Sequence, residues 1–401
     1  MEATAAEGPR SLRRADLAIA LAAASLAVAL NVGYVYRDLG LVHSPDAILE
    51  GDHHRYLSLA SGPVGEPGDD RAREAPFCWR ILVPWLVARA AAAGARPEPT
   101  FYAVSLLGLT VFLAALFLHG RQRGLTTGVS LLGVSVAALL PGGVRWYVYQ
   151  YPMPDPLCLA LVGLAVVAIE ARRDAWLIPI GMAALASRES YLLVIPYHFL
   201  HRLQRGSLRE ALRAALLYNA LPLAVFLGIR LSIEAVNSHR PLEIAQDIAR
   251  FRWRRLWVNQ AYFTTVGSLG VLLPALLALP ARLIRALPRE LAGASLVLGA
   301  YASLLLANNT DRLLMYALPA LVPAAMAQLA ELGRRTRVPL AAAGPVLLAV
   351  QAYHYDQTLY FQKLGASIFQ PANLGVTYAV GALWLALQAS RIASRGIRPR
   401  R

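Results

Sequence analysis

One lysine, Lys363, stands among 401 residues; the other 38 of the 39 basic residues are arginine. Cysteine is nearly absent too, with only Cys78 and Cys158. Two thiols without His or Cys companions at ligand spacing exclude a zinc ribbon or a disulfide-stapled domain and read as buried thiols. Charge is scarce: 16% of residues are charged and 57% are hydrophobic, which excludes a solvated or disordered chain and points to a polytopic, all-α membrane protein. Internal repeats and low-complexity runs are not evident. The net charge of +15 would suit a nucleic-acid binder. The arginines, however, cluster between apolar runs, so membrane sidedness accounts for them and no nucleic-acid partner is expected.

Apolar runs predict about 12 transmembrane helices, near 15–36, 100–119, 127–141, 154–171, 175–187, 189–200, 214–236, 262–280, 291–307, 312–331, 338–353 and 373–390. The first, in "RSLRRADLAIALAAASLAVALNVGYVY", has about 22 apolar positions. That is long for a signal-peptide core, and it reads as a retained span. With the N-terminus inside, the inner segments are 1–14, 120–126, 172–174, 201–213, 281–290, 332–337 and 391–401, which together hold about 22 arginines. Both termini are then cytoplasmic, as the positive-inside bias requires. The chain reads as two modules, a transmembrane module over 1–213 and a C-terminal transmembrane module over 214–401 with a basic outer loop at 237–261.

Residues 175–200, "AWLIPIGMAALASRESYLLVIPYHFL", decide the topology. As one span they would bury Arg188 and Glu189 in mid-membrane and invert everything downstream. As two short helices meeting at Arg188-Glu189 on the outer side they keep the charge bias. Helices of about 20 Å are tolerated where their ends line an aqueous cavity. In a rival topology, residues 79–97 cross the membrane and 175–200 form one span, which turns 120–126 and 172–174 outward. The arginines and proline interrupting 76–97 favour a surface location instead.

Polar residues then collect on the outer side. The long first loop, 37–99, carries Asp46, Glu50, Asp52, His53, His54, Arg55, Tyr56 and Arg80; later outer segments carry Asp155, Arg188, Glu189, Asp311 and Arg312. Each also has a plainer reading. The histidines can be exposed loop residues, Arg80 can reach the headgroups, and Asp155 can cap its helix. Tyr147, Tyr149 and Tyr151 read as an interfacial aromatic belt. Adjacent helix positions point about 100° apart, so Asp52 with the histidines makes a poor metal site and none is expected. "IAQDIARFRWRRLW", within 237–262, spaces its apolar residues as an amphipathic surface helix would.

Several stretches resemble one family. Asp52 lies in a "GD…Y…LA" setting; "APFCWRILVPWL", "MPDPLCLALVGLA" and "GMAALASRESYLLVIP" follow in order. Together these resemble the GT-C-type integral-membrane glycosyltransferases of bacteria over roughly residues 15–200. The sequence departs from the common paired acids, because His53 and His54 follow Asp52. The resemblance implies a polyprenyl-phosphate sugar donor and a glycan, lipid or protein acceptor, with membrane lipids as surroundings and no cofactor. It implies catalysis by Asp52, Asp155 and Glu189, with Asp46 as an alternative base. Asp46, His53, Tyr56, Arg80, Arg188, Asp311 and Arg312 would bind substrate. A transporter or flippase of a lipid-linked or anionic solute would also use arginine-lined vestibules and broken helices. A non-catalytic assembly factor for envelope polysaccharide is the third reading.

Overall fold

The computed structural model describes residues 12–39, 53–61, 77–235, 263–303, 310–358 and 371–396. Among these, regular structure is helical throughout, with 17 α-helices, short 3₁₀ and π turns, and no strand. Four helices are long and apolar enough to cross a membrane by length and composition: Arg14–Arg37, Pro97–Gln122, Leu208–Ser232 and Arg312–Thr336. Several other expected spans are shorter helices, including Thr127–Ala138, Asp155–Glu170 and Leu291–Ser303. The expected 262–280 span is interrupted, a π turn at Phe263–Gly267 giving way to the five-residue helix Leu272–Leu276.

Large apolar side chains face outward: Leu216 is 69% exposed and Leu231 86%. Polar Asp155, His198, Asn219 and Gln351 are buried. A water-soluble domain distributes these types the other way round, and an extended apolar exterior is what a lipid environment covers.

Packing divides the chain into two units. One comprises Met1–Ala23, Leu116–Gly143 and Ile248–Arg401; the other comprises Ala24–Ala115 and Val144–Asp247. The partition interleaves along the sequence and so cuts the chain elsewhere than the 213/214 boundary read from it.

In the first unit the helix Leu318–Thr336 packs against Thr127–Ala138, Leu272–Leu276, Leu291–Ser303 and Pro371–Gly396. In the same unit, the buried Gln351 of the helix Leu340–Thr358 ties two irregular stretches together, donating to the Leu139 carbonyl at 2.8 Å and accepting from the Val271 amide at 2.9 Å. Such side-chain bonds satisfy backbone groups that a broken helix leaves unpaired.

In the second unit, Leu177–Ser187 packs between Asp155–Glu170 and Leu208–Ser232. Close approach depends on Gly181, where an added Cβ would lie 2.9 Å from the Pro222 ring and 3.0 Å from Tyr191. Helical geometry stops at Arg188, whose φ of −166° and ψ of 144° are extended, and resumes as the 3₁₀ turn Glu189–Leu193 and the helix Val194–Leu203. The Asp174 carboxylate at the start of this segment meets His198 and Arg202 near its end. The chain therefore reverses at Arg188-Glu189, as a hairpin of two short helices. The 79–97 stretch forms only the 11-residue helix Leu82–Ala92. At about 1.5 Å per residue it spans roughly 16 Å, half of a bilayer core.

Candidate functional site

Segments far apart in sequence meet at one end of the second unit. The hairpin tip brings Arg188 and Glu189. Asp155 comes from the first turn of Asp155–Glu170, where Pro156 starts the helix without wasting an N–H. Arg80 follows the 3₁₀ turn Phe77–Trp79, and Tyr56 projects from the helix His53–Ser61.

Arg80 pairs with Glu189 through one edge of its guanidinium, the Nε–H donating to Oε2 at 3.2 Å and Nη2 to Oε1. Its Nη1 donates to the Tyr56 hydroxyl at 2.9 Å. This is the two-point geometry in which arginine binds carboxylates best. Burial would pull the Arg80 guanidinium down, but the Glu189 carboxylate and then Tyr56 outweigh it and hold Arg80 charged, well above its ordinary value. Burial pushes the Tyr56 phenol up against the pull of Arg80 and Arg188. Tyr56 also meets the Phe77 ring edge-on, at 5.7 Å between centroids.

Beside this pair, Arg188 forms an ion pair with Asp155, and both are buried. The Tyr147 hydroxyl donates to Asp155 Oδ1 at 3.4 Å. Neighbours in sequence, Arg188 and Glu189 thus engage opposite partners. Positive and negative charges alternate through the cluster, so each buried charge has a countercharge, without which its desolvation would be prohibitive.

Arg230, near the end of Leu208–Ser232, lies 4.0 Å from Glu189 and stacks over the rings of Trp79 and Phe226 at 4.3 and 4.4 Å. The Trp79 indole donates to the Ile233 carbonyl at 3.1 Å, fixing the ring under the guanidinium. Neither Arg230 nor Tyr147 emerges as a site residue from the sequence. An arginine near the end of an apolar run reads as an interfacial anchor, and a tyrosine among tyrosines as a belt. Tyr147 and Tyr151 are instead buried, at 0% and 1% exposure, which corrects the aromatic-belt expectation for both. Tyr149's side chain lies outside the described residues.

Of the expected site residues, Tyr56, Arg80, Asp155, Arg188 and Glu189 come together in this unit. Arg312 is buried in the other unit. Asp46 and Asp52 lie outside the described residues, as do the side chains of His53 and Asp311 and the amphipathic stretch in 237–262. Among the described residues no group of three or more His, Cys, Asp or Glu could hold a metal ion. Cys78 and Cys158 are buried thiols outside any disulfide, as expected.

A second polar cluster closes the other end of the same helices, about 22 Å away along Asp155–Glu170. Glu170 accepts from the Tyr197 hydroxyl at 3.1 Å and from Arg205 at 3.2 Å. Asp174 pairs with Arg202, and His198 Nε2 lies 3.3 Å from its Oδ2. Burial alone would raise the Asp174 carboxyl, but His198 and Arg202 outweigh it and hold it below the ordinary value of 3.8. This end fastens the hairpin: its acids sit where the helices start and stop.

No protein-family model and no curated protein matches this sequence.

Proposed function

We propose that the protein is an inverting membrane glycosyltransferase. It would move a sugar from a polyprenyl-phosphate donor to an envelope glycan, lipid or protein acceptor on the outer face of a bacterial plasma membrane. The observation that carries this reading is the assembly of Tyr56, Arg80, Asp155, Arg188 and Glu189 from separate segments into one cluster with two carboxylate-held guanidiniums. These are the stretches in which the sequence resembles GT-C-type enzymes. The proposed topology has twelve crossings, both termini inside and the hairpin tip outside.

Such an enzyme acts away from the cytoplasmic nucleotide pool, so a lipid phosphate carries its sugar. The acceptor hydroxyl oxygen bonds to the anomeric carbon as the bond from that carbon to the phosphate oxygen breaks. The leaving polyprenyl phosphate takes the bonding electron pair, and one displacement inverts the centre. The hydroxyl proton passes to a carboxylate, a role assigned to Asp52 with Asp46 as its substitute. Charge growing on the phosphate needs donors that are already oriented. A guanidinium has five N–H donors. Glu189 and Tyr56 engage three of those on Arg80, which leaves two for the phosphate. Asp155 orients Arg188 and Glu189 orients Arg80.

The test uses membranes carrying the full chain and a radiolabelled polyprenyl-phosphate sugar. Wild type releases polyprenyl phosphate and labels an acceptor with inverted configuration. Asp52→Asn and Arg188→Gln, inserted at wild-type levels, lower release at least about 100-fold, the scale of losing one acid–base or electrostatic group. Label carried across the membrane with its phosphate bond intact would replace this reading with the carrier.

A further inference from the structure

The first unit contains a cavity of about 710 Å³ that the proposed transfer reaction does not use. Arg123, Arg282, Arg334 and Arg337 line it, together with Thr126 and residues Val338, Pro339 and Leu340. Glu290 pairs with Arg123, and Glu331 is shared among Arg334 at 2.6 Å, Arg335 at 2.7 Å and Arg282 at 3.9 Å. Four lining guanidiniums therefore face two neighbouring carboxylates, and positive charge is in excess.

Backbone geometry adds to that excess. Thr126 caps the helix Thr127–Ala138, accepting from the Val129 amide, and Leu340–Thr358 also begins at the cavity. Both helices point their positive ends toward it. Arg337 adopts left-handed geometry, with φ of 58°, after the last turn of Leu318–Thr336. Arginine there carries a steric cost that glycine or asparagine would largely avoid.

These arginines come from 120–126, 281–290 and 332–337, three segments that the charge bias places inside. Sidedness accounts for the presence of basic residues. It does not call for guanidiniums from three separate connections around one hollow.

We propose that this cavity binds a phosphate group, with two or more guanidiniums on its oxygens. An anionic lipid headgroup and a soluble phosphate share that chemistry. The test measures thermal melting of the purified full chain in neutral detergent. The probes are phosphatidylglycerol, inorganic pyrophosphate and, as control, phosphatidylcholine. The double variant Arg334→Gln/Arg337→Asn removes two lining charges; Arg285→Gln/Arg289→Gln removes the same charge from exposed residues outside the lining.

Phosphatidylglycerol, pyrophosphate or both should raise the melting temperature by about 3 °C or more in the wild type and in the control double. The lining double should lose that rise. A response to phosphatidylglycerol alone identifies a lipid site, and a response to pyrophosphate identifies a soluble anion. No rise with either anion, or equal loss in both doubles, overturns the proposal. As a second measurement, a cysteine at Arg337→Cys should react more slowly with a thiol reagent in the presence of the effective anion. Unchanged reactivity would count against the site. Neither readout depends on transfer activity.

Discussion

Arg80 and Glu189 lie 109 residues apart and meet through two hydrogen bonds on one face of the guanidinium. The pair clamps the turn after Phe77–Trp79 to the tip of the hairpin, and Tyr56 completes it from a third segment. A fork of planar donors is needed for this, and lysine, a point charge, cannot supply it. Arg80→Lys should retain most of the thermal stability lost in Arg80→Ala while losing transfer activity at least about tenfold. Melting in detergent and the release assay measure the two separately. Full activity in Arg80→Lys would show that only charge matters here.

Asp155 and Arg188 are buried at 0% and 4% exposure, so removing one strands the other. Asp155→Asn or Arg188→Gln alone should cost about 3–5 kcal/mol. The Asp155→Leu/Arg188→Met double should recover most of that stability and remain inactive. A double-mutant cycle by denaturation measures the coupling. Additive single effects would mean that the two charges do not depend on each other.

The hairpin's far end should be acid-sensitive. The Asp174 carboxyl is held below 3.8 by His198 and Arg202. A carboxyl depressed in the folded state contributes stability that is complete above the unfolded value and is lost as pH falls through the folded value. Melting temperature should therefore decline below about pH 4, and Asp174→Asn should flatten that part of the profile while lowering stability at neutral pH. A wild-type profile that stays level down to pH 2 would contradict the assignment.

Sidedness can be read with thiol reagents, since Cys78 and Cys158 are buried. Arg123, exposed in the 120–126 connection, probes that segment. In intact cells an impermeant reagent should label Ala95→Cys, and it should label Arg123→Cys only after permeabilisation. The reverse pattern would favour the rival topology, in which 79–97 crosses.

Sequence and structure agree best where composition alone decides. Uniformly apolar runs between arginine clusters predict helices, and helices stand there. The reversal at Arg188-Glu189 was legible because two ionisable residues in mid-run leave few alternatives in a bilayer. Pairing was not legible. Adjacent Arg188 and Glu189 could neutralise each other, and only the fold shows that they turn to Asp155 and Arg80. Arg230 and Tyr147 escaped for a related reason. Their apolar neighbours make them look like interfacial anchors, whereas tertiary packing sets them beside Glu189 and Asp155. Span length was also overread. Hydropathy does not see the break between Phe263–Gly267 and Leu272–Leu276, which Gln351 stabilises from 80 residues away.

Comparing the lipids and surface glycans of cells with and without the protein tests the proposed reaction most directly. The account predicts that one polyprenyl-phosphate sugar accumulates and one glycosidic linkage disappears in its absence. Wild type should restore both, and Arg188→Gln inserted at the same level should restore neither. Unchanged lipid-linked sugars and glycans, or full restoration by Arg188→Gln, would contradict it.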